Sequence, residues 1–289
     1  MSTIQLPEVS SRRRRTDQIM RGLLMAATVI ALIPLVLIIY YLLHKGLGSW
    51  SGSFFTTDPN GSFFGYPGGA RSAILGTLEI VALGTLIAVP AGIGVALYLT
   101  EYGRDSRFAS LVRYFVDVMT GVPSIVFGLF IYITFVVSHV GGGFTGWKGS
   151  LALALLMLPI VIRSAEVVLL LVPDSLREAA LALGAPRWRI VTKVVLPTAA
   201  PGLVTGSLLA IARGMGETAP LLFTVSAASA LTFSLNQQMN TLPVQIFNDI
   251  TNPKPSIVAR AWGGALTLVA IVLILNLTAR LWSRRSRMA

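Results

Sequence analysis

Six stretches of the chain are apolar over roughly 20 residues, near 22–43, 73–99, 111–137, 150–171, 202–225 and 262–282. Each is long enough to cross about 30 Å of hydrocarbon as a helix. The pattern predicts an all-α polytopic membrane protein with six transmembrane helices. The third and fifth runs each carry a charge inside. The first run follows SSRRRR, a basic start like that of a signal peptide. Its apolar stretch is longer than the usual 7–15 residues and no small-residue cleavage pattern follows, so it reads as a retained helix. The domain reading is a basic tail over 1–21 and a transmembrane domain over 22–289.

One polar stretch between the fourth and fifth runs is built with care. SLREAALALGAPRWRIVTKVVLP (Ser175 to Pro197) reads as two short helices broken at Gly184. Ser175 followed three residues later by Glu178 forms a capping box, and Glu178 puts negative charge at the positive end of a helix. Ala179 to Leu183 favour helix. Gly184 suits the left-handed position that stops it, and Pro186 restarts a helix in its first turn. Pro197 and Pro201 are expected to end the segment before the fifth span. Ala179 and Ala180 leave a smooth face, with Arg187, Trp188, Arg189 and Lys193 nearby. That surface suits docking into a partner's groove, or lying on lipid phosphates.

Composition agrees with the pattern. Of 289 residues, 54% are hydrophobic and 12% charged, and mean hydropathy is +0.74; a soluble domain carries about 25% charged residues. The net charge of +11 raises nucleic-acid binding, so the placement of the cations decides. With both termini placed in the cytoplasm, 16 of the 23 Lys and Arg fall on the cytoplasmic side and five outside. That bias is the positive-inside rule, which accounts for the charge without nucleic acid and puts residues 173–200 in the cytoplasm. There is no cysteine, hence no disulfide and no thiolate metal site.

Glu178-Ala179-Ala180, then Gly184, then Val194-Val195-Leu196-Pro197 resembles the EAA signature of ATP-binding-cassette importer permeases, with Val194 where the motif has Ile. DVMTGVPSIVFGLF (Asp117 to Phe130) and RGMGETAPLL (Arg213 to Leu222) are similar to phosphate-importer permeases, and PAGIGVALYLTE (Pro90 to Glu101) to the wider permease core. The short N-terminal region and RGMGETAP resemble the A-type of the two permease chains. The resemblance implies a type I importer permease fold, with Glu178, Ala179, Ala180, Gly184 and Arg187 in coupling helices that sit in an ATPase cleft. It implies a homologous permease as heterodimer partner, two ATP-binding-cassette ATPase subunits and an extracytoplasmic phosphate-binding protein. A phosphate-signalling regulator is a further partner it allows. ATP and Mg would be bound by the ATPases, leaving this chain without a cofactor or catalytic residues, in the bacterial inner membrane.

The nucleotide question is also open to the residues alone. A phosphate-binding loop needs G-x-x-x-x-G-K-[ST]. GGGFTGWKGS (141–150) fails because Lys148 follows Trp147, and it reads as a flexible turn on the outer side. LPVQIFNDITNPKP, in the long outer loop 226–260, reads as a short interfacial helix before a Pro-rich turn.

The chemistry lies in ionisable residues within the runs: Glu79, Asp117, Arg163, Glu166, Arg213 and Glu217. A charge at a span centre costs about 2.5–3.5 kcal/mol, so it faces a bundle interior, water or a partner charge. Arg163 and Glu166 are three apart, Arg213 and Glu217 four apart, so each pair shares a helix face. Either the arginines draw an oxyanion through a pathway, for which planar guanidinium donors suit phosphate, or both pairs are structural ion pairs. Thr120, Gly121, Val122, Pro123 and Ser124 break helical bonding at Pro123, and irregular backbone at membrane depth lines cavities. Thr218 and Pro220 have the same standing. His44 and His139 have no second ligand nearby, so no metal site is expected. Glycines 76, 84, 92, 94 and 128 are expected to allow close helix packing. The principal expectation is an inorganic-phosphate permease. The alternatives are a permease for sulfate, molybdate or phosphonate, an ion-coupled carrier, or a signalling subunit.

Overall fold

Prolines and glycines decide where the apolar runs stop being helix. The computed structural model describes residues 11–60, 66–104 and 106–285. In chain order these form α1 (Ser11–Gly46), α2 (Gly52–Thr56), α3 (Arg71–Leu97), α4 (Arg107–Gly121), α5 (Ser124–Ile131), α6 (Gly146–Leu170), α7 (Asp174–Ala182), α8 (Arg187–Ile190), α9 (Leu196–Met215), α10 (Ala219–Leu222), α11 (Leu242–Ile250) and α12 (Pro255–Arg285). Wide π-helical turns extend α3 over Tyr98–Tyr102, extend α5 over Tyr132–Val137, and join α8 to α9 over Val191–Val195. Five helices are long and apolar enough to span a membrane, and α4 with α5 makes a sixth, bent by 102°.

The bend in the third run sits at Val122–Pro123. Pro123 has no N–H to give to the carbonyl of Met119, and it drives Val122 to extended backbone (ψ 129°). The fifth run also breaks: α9 stops at Met215, and only the four residues of α10 follow. Continuing the helix would set the Pro220 ring against the Gly216 carbonyl. The apolar run extends to 225, but the helix ends before Thr218 and Pro220, the two positions in it expected to be irregular.

Pro197 and Pro201 do the opposite of what was expected. They lie inside the helical stretch Arg187–Met215, so α8 runs directly into the fifth span. The π turn before Pro197 widens the backbone where its ring would meet the Lys193 carbonyl. Thr198 Oγ1 donates to the carbonyl of Val194 at 2.6 Å, a further bond holding the backbone beside this turn.

Helix α6 is the axis of the bundle. Ala152, Leu153, Met157, Val161 and Ala165 are buried on it, against α3 on one side and α9 on the other. Small residues set the distances. A Cβ on Gly92 would fall 2.7 Å from Val161, one on Gly202 2.5 Å from Val168, and one on Gly214 2.8 Å from Met157. Gly76, Gly84 and Gly128 are close approaches of the same kind, whereas a Cβ on Gly94 would meet nothing within 4 Å among the described residues. The pairs Gly202–Val168, Gly206–Ser164 and Gly214–Met157 run in opposite directions, so α9 is antiparallel to α6.

The two ends of α3 define the two ends of the bundle. At its start, the backbone of Ala70 donates to Phe54 of α2, and Leu242 of α11 donates to Thr77 Oγ1. Helix α11 buries one face, through Leu242, Val244 and Asp249, and leaves Phe247 and Ile250 exposed. Arg260 donates to both carboxylate oxygens of Asp249 at 2.7 Å, and Gln245 reaches Asp249 and the Gly69 carbonyl. Arg71 grips Asp58 at 2.7 Å, holding that carboxyl below its ordinary range.

The glycine-rich stretch before α6 is ordered at its end. Residues 145–147 donate backbone bonds to Thr224, Gln237 and Leu235. Lys148 is fully buried and gives its ammonium protons to the carbonyls of Phe135, Gly142 and Gly143 at 3.0, 2.6 and 2.6 Å. The expected flexible turn is therefore a lysine-clamped one. Helix α1 begins at Ser11, so the second half of the expected basic tail is helix; residues 1–10 lie outside the described residues. No residue in the most apolar stretch of α1 is buried against the rest of the chain.

Candidate functional site

Two groups of charge stand at different depths. The first joins α4 to α6. Glu166 has a side chain 7% exposed and accepts from Arg113 Nε at 2.7 Å and from Arg163 Nη1 at 2.8 Å. Arg113 also donates to the Leu99 carbonyl at 2.8 Å, so the wide turn at the end of α3 is tied in. Arg163 Nη2 donates to the Asp117 carboxylate and to the Arg113 carbonyl. Two guanidinium groups and two carboxylates make the cluster neutral. Arg113 was read from sequence only as a positive loop residue. Its spacing of four from Asp117 was the signal that could have placed it on a helix face.

The second group sits at the break after α9. Arg213 lies in the last turn of α9, where the helix dipole favours a cation. It faces Glu217 at 3.4 Å, with its side chain 58% exposed and that of Glu217 mostly covered. Because Gly214 packs on Met157, Arg213 is level with the middle of α6. Arg163 is six residues further along α6, about 9 Å at 1.5 Å per residue. The structure therefore does not bring the two expected arginines together: Arg163 is held in a network, while Arg213 keeps most of its donors open.

The irregular stretches flank these groups. Thr120 is exposed and gives its hydroxyl proton to the Val116 carbonyl at 2.8 Å. Pro123 is exposed and Ser124 half-buried at the start of α5. Thr218 precedes α10 and caps it through its carbonyl, which accepts from Leu221 and Leu222. A Cβ on Gly128 would be 2.5 Å from Pro220 Cα, so the segments after both breaks are pressed together. Of the remaining charges, Glu79 has one buried carboxylate oxygen without a hydrogen-bond partner.

The coupling segment is a helix–turn–helix. Helix α7 starts at Asp174 behind Pro173, so Ser175 lies inside it and caps nothing. The capping box is corrected: Pro173, extended at ψ 136°, takes the N-cap position two residues before Ser175. Gly184 has φ +76°. Its N–H reaches the Leu181 carbonyl, and that of Ala185 reaches Ala180, which is a Schellman stop. Glu178, Ala179 and Arg187 are exposed and Ala180 half-buried. Around Gly184, Leu183 is 88% exposed, and Leu181 and Trp188 are also uncovered. These apolar side chains therefore stand uncovered on an otherwise polar loop. Arg177 fixes the unit to the end of α3, with 2.8 Å to Glu101 Oε1, and caps the Val172 and Leu169 carbonyls. Hydrogen bonding to Glu101 raises the Arg177 pKa further.

Comparison with known proteins places this geometry. Residues 88–288 match the family described as binding-protein-dependent transport system inner membrane component. A phosphate transport system permease protein PstA of Haemophilus influenzae is 40% identical over 95% of this chain and 96% of its own length. That of Yersinia pestis is 43% identical over 93% of this chain and 90% of its own. Among solved structures, a bacterial alginate ABC transporter in complex with a pentasaccharide-bound periplasmic protein shares the fold, with TM-score 0.65 at 15% identity over 95% of this chain and 96% of that one. The chain therefore belongs to the binding-protein-dependent transport system inner membrane components, within the PstA branch of ABC importer permeases.

Proposed function

We propose that this chain is one of two permease subunits lining the pathway of an ATP-driven inorganic phosphate importer in the bacterial inner membrane. The observation that carries the reading is Arg213, a half-open guanidinium at mid-bundle depth, placed where the fifth span breaks. A desolvated guanidinium stays charged and matches phosphate oxygens with two donors. Glu217 offsets its charge, so that the anion binds weakly enough to leave. The carbonyls and hydroxyls of residues 120–124 and Thr218 lie on the breaks, where backbone groups can line an aqueous passage. Relatives named as phosphate transport permeases support the choice of cargo.

The drive comes from outside this chain, whose sequence holds no phosphate-binding loop. An ATPase subunit docks on the exposed face around Gly184, with Glu178, Ala179, Ala180 and Arg187 at the contact. Closure of an ATPase pair on ATP and Mg then moves α7 and α8. Helix α8 continues without interruption into α9, so that movement reaches Arg213 at the other end of a single 29-residue rod. Arg177 carries the same movement to α3 through Glu101. The positive-inside count puts this end in the cytoplasm, and a phosphate-binding protein delivers the anion at the end built by α2 and α11. A homologous permease chain closes the pathway on its open side.

The test is radiolabelled phosphate uptake in vesicles holding the full complex, wild type against Arg213→Gln, with ATPase activity followed in the same samples. Loss of uptake with binding-protein-stimulated ATPase retained supports the reading. Joint loss with poor assembly makes Arg213 structural. A wild type that moves sulfate, molybdate or phosphonate and not phosphate overturns the cargo while leaving the permease in place.

A further inference from the structure

We propose that Asp117 is a built-in counter-anion: it occupies Arg163 while the pathway is empty and yields that place to phosphate, making Arg163 a second station, offset from the level of Arg213 by about 9 Å along α6. The proposal rests on the phosphate-pathway reading above. Two carboxylates meet Arg163, and their surroundings are unequal. Glu166 is 7% exposed and bonded to both arginines, so its departure would strand buried charge. Asp117 is 63% exposed and has Arg163 as its ion-pair partner. Exposed ion pairs are weak, and a released Asp117 carboxylate returns to water.

Arg163 itself does not have to move. It stays anchored by Glu166 and by the Arg113 carbonyl, so only the edge that faces Asp117 opens. A carboxylate oxygen and a phosphate oxygen both accept a charge-assisted bond from a guanidinium N–H, here from Arg163 Nη2. With Asp117 swung aside, Arg113, Arg163 and Glu166 leave one net positive charge for one incoming anion. The displaced carboxylate remains close and competes to return, which keeps the anion from being trapped. Asp117 also lies one turn before Gly121 and the Val122–Pro123 bend. Its release frees the end of α4 from α6 at the point where the broken span would flex.

The experiment is equilibrium binding of radiolabelled inorganic phosphate to the full complex in lipid nanodiscs, without nucleotide or binding protein. Asp117→Asn is expected to tighten binding about fivefold, the scale of a lost exposed ion pair, and to slow uptake turnover. Asp117→Glu, which keeps the competitor, is expected to bind like wild type, and adding Arg163→Gln to Asp117→Asn is expected to remove the gain. A fixed structural tie predicts no gain in phosphate affinity. Unchanged affinity in assembled Asp117→Asn overturns the proposal, as does an equal gain in Asp117→Glu. Failure of both Asp117→Asn and Asp117→Ser to assemble also overturns it. If wild-type vesicles carry no phosphate, the function reading falls; if they do and Asp117→Asn binds as wild type, only this proposal falls.

Discussion

Replacing Glu166 by Gln tests whether burial ranks the charges of the α4–α6 cluster. Glutamine keeps the volume and one carbonyl acceptor but removes the charge that both Arg113 and Arg163 face at 2.7 and 2.8 Å. Breaking a buried ion pair costs about 3–5 kcal/mol. Here the arginine side chains are 28% and 33% exposed, so water recovers part of that, and Asp117 still faces Arg163. The expected cost is therefore about 2–3 kcal/mol, or roughly 5–10 °C in the midpoint of thermal unfolding for a chain of this size. Asp117→Asn removes a charge from the same cluster but an exposed one, and is expected to cost about 1 kcal/mol or less. The assay is heating of the solubilised complex followed by size-exclusion of the intact fraction. A cycle with Arg113→Gln should give strong non-additivity, because the partners touch. The reasoning is refuted if Glu166→Gln costs no more than Asp117→Asn, or if the double variant is additive within about 0.5 kcal/mol.

Two further outcomes follow from the connections between the coupling segment and the breaks. Arg177→Ala removes the tie between α7 and the end of α3. Binding-protein stimulation of ATPase activity should fall roughly tenfold, the usual scale of a coupling free energy, while the complex stays assembled. Arg177→Lys should restore only part of it, since an ammonium cannot reproduce the two-donor grip on Glu101; an unchanged stimulation ratio would show that this tie transmits nothing. Gly128→Ala places a methyl 2.5 Å from Pro220 Cα, on backbone that cannot turn away. The strain of about 1–3 kcal/mol should depress both phosphate uptake and thermal midpoint. Gly94→Ala, with nothing within 4 Å, is the control that should alter neither, and equal behaviour of the two would sink the packing argument.

What the sequence made legible follows from which physical constraints are local. The spans were readable because hydrocarbon thickness sets the length of an apolar run, and the glycine stop at Gly184 because a left-handed residue leaves few choices. The prolines were harder. Pro123 and Pro220 lie at breaks where irregular backbone was expected, and Pro197 sat inside a helix that it was expected to end. A proline's effect depends on where the carbonyl four residues earlier can go, and at Pro197 a π turn gave it room. The Ser175 cap failed because Pro173, two residues before it, had already ended the extended chain.

The same locality separates the charges. Arg163–Glu166 and Arg213–Glu217 were visible because three and four residues make one helix face. Arg113 to Glu166 is 53 residues apart and Arg177 to Glu101 is 76, and no spacing rule reaches that far. Those long-range partners are what divide the two arginines that sequence treated alike. Arg163 lies where α4 packs against α6, so neighbouring elements supply it with carboxylates. Arg213 lies where its own helix ends, and the chain that would have covered it turns away at Gly216. A broken helix leaves its last cation under-partnered, and an under-partnered cation at mid-membrane depth is what an anion pathway requires. On the phosphate-pathway reading the break and the arginine act together: straightening the span through Gly216 and Pro220 is expected to abolish phosphate uptake even with Arg213 in place.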